Sequence, residues 1–211
     1  MSNTSTKLSN LKQVPLVPFS EVEKVDEMSL SLEEHRASFA NRRFLALPLA
    51  GALVWFFIGA SAPFISEYAK VMSVWLGTGC IFYLGLLFSR FTGENFISQS
   101  KQKNPFDLLF LSAIGMSLLV FGIAMPVAQI DHTTIPFTVG ILAGLMWMVL
   151  SWIIQHWVGY AHAIMRTVGI VIAWYSFPEQ RFESISAVIV ISYVVSIIAL
   201  EMRFRQLNKS A

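Results

Sequence analysis

Six stretches of the chain run for 18 to 22 residues with almost no charge: 44–62, 71–89, 107–128, 135–154, 160–177 and 184–202. Bilayer hydrocarbon is about 30 Å thick and a helix rises about 1.5 Å per residue, so roughly 20 apolar residues in a row make one crossing. A water-soluble fold has no use for six such runs. The charge total agrees, because only 13% of residues are charged, about half of what a soluble surface carries. The runs are continuously apolar and do not alternate in segments of about ten, which favours helices over a barrel. The expected fold is all-α: a polytopic membrane helix bundle of six transmembrane helices behind a short polar N-terminal arm, residues 1–43. Five prolines, Pro48, Pro63, Pro126, Pro136 and Pro178, fall near the ends of runs, where a missing N–H costs little.

Charge sorting sets the expected orientation. If the spans alternate, one side receives Lys7, Lys12, Lys24, Arg36, Arg42, Arg43, Arg90, Lys101, Lys103, Arg203, Arg205 and Lys209, while the other has only Lys70 and Arg181. Basic residues are retained in the cytoplasm, so both termini are expected there, in a multi-pass protein of the cell membrane with residues 203–211 as a cytoplasmic tail. Trp152 and Trp157 bracket the proposed inner face, and Tyr68, Trp75, Trp174 and Tyr175 the outer one, as interfacial aromatics do. Trp55 and Trp147 lie deeper and read as packing residues. The net charge of +2 gives no footprint for nucleic acid, and the lipid bilayer is the expected partner.

The arm has no signal-peptide pattern. Its first ten residues read as disordered, and Val14 to Pro18 as extended. Ser20-x-x-Glu23 and Ser31-x-x-Glu34 match capping boxes, which predicts a helix over 20–28 and another from Leu32 running into the first span. Residues 21–34 hold six acids against Lys24. That run reads as a solvated arm or as a docking segment for a basic partner.

Inside the spans, Arg166 is the main candidate for function. An ionisable group within a span costs roughly 2.5–3.5 kcal/mol on insertion scales, so it is there for a reason. His162, Arg166, Gly169, Ala173 and Ser176 share one helical face that should point into the bundle. A bland account of Arg166 is snorkelling toward the cytoplasmic edge, or an ion pair with Asp107 or Glu201. His162 reads as a hydrogen-bonded packing residue or a proton-path member. Gly140-x-x-x-Gly144 is a small-residue helix-packing motif whose partner is either within the chain or on a second copy, which would make a homo-oligomer. Cys80 is the one cysteine and reads as a small apolar filler. Ser186, Ser192 and Ser196 read as helix-contact positions. No catalytic motif, metal-ligand spacing or phosphate-binding loop is present, so neither an enzyme nor a metal or cofactor is expected.

Leu86-Leu87-Phe88-Ser89-Arg90-Phe91, Asn104-Pro105-Phe106, Ser151-Trp152-x-x-Gln155 and Trp174-Tyr175-x-Phe177-Pro178-x-x-Arg181-Phe182 resemble a family of small bacterial multi-span membrane proteins of unknown function. The resemblance covers roughly residues 36–203. It implies a bacterial inner-membrane protein and no particular reaction. Two functions fit the residues: transport of a small molecule or ion through a cavity near Arg166, or an accessory or sensor role in which the acidic arm binds a partner.

Overall fold

A computed structural model describes residues 30–94 and 104–209 of the chain. The segments expected to be disordered, extended and helical over 1–28 lie outside the described residues, as do most of the arm's acids. Residues 1–34 and 35–211 form separate units.

The described residues are helical, with no strand among them: α1 (Leu32–Ala40), α2 (Ala46–Ser61), α3 (Glu67–Thr92), α4 (Pro105–Leu119), α5 (Phe121–Ile130), α6 (Thr134–Gly144), α7 (Met146–Ile154), α8 (Val158–Ser176) and α9 (Arg181–Lys209). Five segments are long and apolar enough to cross a membrane: Ala46–Phe64, Glu67–Thr92, Pro105–Ile130, Thr134–Ile154 and Pro178–Lys209. The expected run 160–177 is helical as α8 but stands outside this set, since it carries His162 and Arg166.

The Ser31-x-x-Glu34 box forms: Ser31 N–H donates to Glu34 Oε2 at 2.7 Å and Glu34 N–H to Ser31 Oγ at 3.3 Å. The helix it starts does not run into the first span, however. It stops at Ala40, and Phe44 takes a left-handed φ of 59°, which a residue with a Cβ adopts only when packing compels it. Packing does: the Phe44 ring lies 5.1 Å from Phe39 and 6.3 Å from Phe110. After this corner α2 has no capping side chain of its own. The Glu94 carboxylate from the end of α3 fills the role, accepting from Leu45 N–H at 2.7 Å and Ala46 N–H at 3.1 Å.

Two of the five segments are broken in the middle. α4 gives way to α5 at Val120, two residues before Gly122, whose carbonyl the Pro126 ring opposes one turn later. α6 gives way to α7 at Leu145, where Leu145 N–H bonds Leu142 O and Met148 N–H bonds Leu145 O, a local tightening to i→i−3 geometry. At the other extreme α9 continues unbroken through the expected tail to Lys209.

α9 is the central helix, packing on α2, α8 and α6. Small residues let the backbones approach. A Cβ on Gly59 would meet Ser186 Cβ at 2.7 Å, and one on Gly169 would meet Val188 at 2.6 Å. The outer elements are α3, packed mainly on α2, and the α4–α5 pair. Only 11% and 17% of their spans are buried, against 39% to 44% of the other three. Cys80 sits exposed on α3, so it does not fill the core as expected. Trp55 and Trp147 are buried, whereas Trp152, Trp157, Tyr68, Trp75 and Tyr175 are exposed.

Polar ties close the two ends of the bundle. At the end where α2 and α4 begin and α9 finishes, Arg42 makes a two-pronged ion pair with Asp107. Beside it, Arg43 Nε donates to Glu201 at 2.8 Å, and Arg203 donates to Ala40 O at 2.7 Å. At the opposite end Arg181 lies flat on Trp174, 3.6 Å from the ring centre, and donates to Thr133 Oγ1 at 2.6 Å. His132 and Lys70 there both contact the Glu67 carboxylate.

Candidate functional site

Arg166 lies at the middle of α8, is 2% exposed, and faces the bundle. Its Nε donates to the Gly140 carbonyl at 2.6 Å, and one terminal nitrogen lies 3.4 Å from the Tyr193 hydroxyl. The guanidinium carbon stands 5.5 Å from the Tyr193 ring centre and 5.8 Å from that of Trp55, within cation–π range. All of these partners are electrically neutral. Among the described residues no carboxylate pairs with it.

The two expected ion-pair partners are engaged elsewhere: Asp107 with Arg42, and Glu201 with Arg43 and Arg205. Both sit at the end of the bundle, whereas Arg166 is near the middle of α8, so the reason is distance. Nor does the side chain snorkel toward the α7–α8 turn. Its Cδ rests against Gly144 and its Nε reaches on to Gly140, one turn of α6 farther from that turn.

The glycine motif explains how an arginine fits here. A Cβ on Gly144 would sit 3.0 Å from Arg166 Cδ, and one on Gly140 would sit 2.8 Å from Ile170 Cδ1. Both glycines are thus occupied within the chain, Gly144 by α8 and Gly140 by α8 and α9. The helix also breaks at Leu145, directly after the glycine on which the arginine rests.

One turn earlier on α8, His162 is fully buried. Its ring stacks on Trp147 at 3.9 Å, and Nδ1 lies 2.8 Å from Ser196 Oγ and 3.2 Å from Ser192 O. Ser196 already spends its hydroxyl proton on Ser192 O at 2.9 Å, so the network assigns the donor proton of the ring to Nδ1. Nε2 then carries a lone pair, with no hydrogen-bond partner. The inward face of α8 comprises Gly159, His162, Ala163, Arg166, Ile170 and Ala173. Ser176, expected on this face, is exposed.

Tyr193 is the residue sequence reasoning missed. It follows Ser186 by seven and precedes Ser196 by three, so the serine stripe of α9 carried the signal. Its ring needs Gly51, where a Cβ would meet it at 2.4 Å.

Arg166 and Tyr193 also line a narrow cavity of about 80 Å³. The rest of its wall is nearly all apolar, with Trp55, Ile114, Val139 and Trp147 among the contributors. Thr78 and Ser117 border it too, but each hydroxyl is spent on a carbonyl of its own helix. The site therefore offers a fixed cation and a phenol at the foot of an apolar wall. No three described His, Cys, Asp or Glu side chains come together to hold a metal.

The model of a family of unknown function (DUF7010) matches residues 32–203. No curated protein and no solved structure matches the chain.

Proposed function

The chain belongs to that family, DUF7010, and because the family brings no activity with it, we propose one from the site: transport of a small anionic solute across a cell membrane, with Arg166 as its binding group. One observation carries this reading. A guanidinium buried at mid-span, held only by neutral acceptors, lines an internal cavity. Charges in spans pair with one another or with backbone carbonyls and mark solute paths; Arg166 has a carbonyl but, among the described residues, no counter-charge, which leaves its positive charge available to a bound anion. In the proposed topology α8 is a sixth crossing beside the five apolar segments, and both termini are cytoplasmic. The cluster of Arg42, Arg43, Arg203 and Arg205 at one end supports that orientation.

The test is flux. Proteoliposomes holding the full chain, with potassium and valinomycin setting the potential, are given acetate, nitrate or a longer carboxylate in turn, and a potential-sensitive dye reports charge entry. The native chain is expected to pass at least one of these anions, and Arg166→Gln to lower that flux about tenfold or more, in line with removal of a charged contact worth about 1.5–3 kcal/mol. Equal flux through both chains would sink the reading.

A further inference from the structure

The cavity has a shape as well as a charge. Its floor is made by the central helices, but two of its sides belong to the outer elements α3 and α4, which make no extended contact with each other. Leu118, on its wall, is 46% exposed, and the spans of α3 and α4 are the least buried of the five, so this side of the cavity is the one next to the outer apolar surface. Its lining reaches from Phe44 and Phe110, near the starts of α2 and α4, to Leu118 and Phe121 at the junction of α4 with α5, with Arg166 and Tyr193 also on the wall. Among the lining residues Arg166 is the only charged side chain, and Tyr193 carries the only hydroxyl not bonded within its own helix.

A small anion alone pairs with Arg166 but leaves the apolar wall uncovered, and a neutral apolar molecule leaves the guanidinium without a counter-charge. The geometry points to a single-chain amphiphile with one anionic head, an aliphatic carboxylate, that enters laterally from the bilayer. Its head pairs with Arg166 and accepts from the Tyr193 hydroxyl, and its chain lies between α3 and α4. This deepens the transport reading and rests on it for its site, but its occupant is tested separately.

Trp55 and Trp147 both border the cavity, so a brominated chain bound there quenches their fluorescence. The probes are dibromostearate and its methyl ester, titrated against the full chain in nanodiscs. The two share a chain and differ in charge, so quenching of the lipid-facing tryptophans is common to both. The acid is expected to quench at a concentration about tenfold lower than the ester. Arg166→Gln abolishes that difference, Arg166→Lys keeps part of it, and Ala143→Phe, which fills the wall, removes the high-affinity quenching while leaving Arg166 in place. Equal quenching by acid and ester in the native chain overturns the proposal, and needs no variant to fold. So does full competition by acetate, which would identify a small hydrophilic anion as the occupant and leave the transport reading standing. Crosslinking of two copies across the α3–α4 opening would overturn it as well, by giving the opening to a second chain. Acid-selective quenching without flux of any anion would keep the binding site and sink the transport reading instead.

Discussion

At the scale of single residues, Glu94 shows how one carboxylate can serve a fold at some cost. Burial pushes its pKa above the ordinary carboxylate value, against the opposing pull of the Leu45 N–H, the Thr92 hydroxyl, the Ala46 N–H and Arg43. A carboxyl whose folded pKa is raised contributes stability below its unfolded value near 4.5, and loses it as pH rises through the folded value. Ionised Glu94 is therefore a net burden at neutral pH, although its oxygen caps α2. Glu94→Gln keeps the capping oxygen and removes the charge. Its melting temperature in detergent is expected to exceed the native value at about pH 7 and to converge on it at about pH 4. A gain that persists unchanged at the lower pH would contradict the sign worked out here. Arg166 illustrates how far single residues are legible. Its presence in an apolar run, and the face it shares with His162, follow from spacing alone. Its partners do not, because a carbonyl on α6 and a phenol on α9 reach it only through tertiary packing. Sequence reasoning supplied acids because only acids announce themselves as partners for arginine. A backbone oxygen has no letter in a sequence.

Among elements, α7 and α8 approach each other tightly at Gly159. Gln155 turns the chain in a left-handed conformation, φ 49°, and Ser151 then ties the turn, donating to His156 O and accepting from Tyr160 N–H at 3.2 Å. A Cβ on Gly159 would lie 2.0 Å from the Trp147 carbonyl oxygen and 2.8 Å from Ser151 Cβ, so the two backbones must part to admit it. Overpacking of this kind costs about 1–3 kcal/mol and sometimes more. Gly159→Ala is expected to lower the melting temperature, whereas Gly115→Ala, where a Cβ meets nothing within 4 Å, raises it or leaves it alone because alanine favours helix by about 0.5–1 kcal/mol. Matched melts of the two variants in one detergent settle the contrast; a Gly159→Ala protein as stable as Gly115→Ala would mean the approach is looser than drawn. The elements themselves were mostly legible, since runs of apolar residues of bilayer length leave little choice. Their interruptions were less so. The corner at Phe44 depends on an aromatic cluster assembled from α1, α2's approach and α4. The break at Leu145 coincides with a side chain arriving from another helix. Pro126 was visible, but as the end of a span and not as a residue inside α5.

For the whole molecule, the bundle divides into a well-buried set of helices around α9 and a looser pair of outer elements. The proposed six-crossing topology puts His132 and Lys209 on opposite sides of the membrane. Cys80 is the single cysteine, so a Cys80→Ser chain accepts one reporter at a time. In sealed cells, His132→Cys is expected to react with a membrane-impermeant maleimide and Lys209→Cys only after the membrane is opened; the reverse pattern would invert the orientation, and reaction of both would remove one crossing. The same reporter exposes a consequence of the neutral partners around Arg166. α8 is too polar to join the five segments that can cross on their own account, and its guanidinium is satisfied by a carbonyl already in place on α6 and a hydroxyl that arrives later, on α9. During synthesis the arginine must therefore wait for the helix that follows it. In the proposed topology α9 admits the helix before it, and a chain cut short after Ser176 is expected to hold α8 at the bilayer surface, an early break in biogenesis that leaves the crossings before it in place.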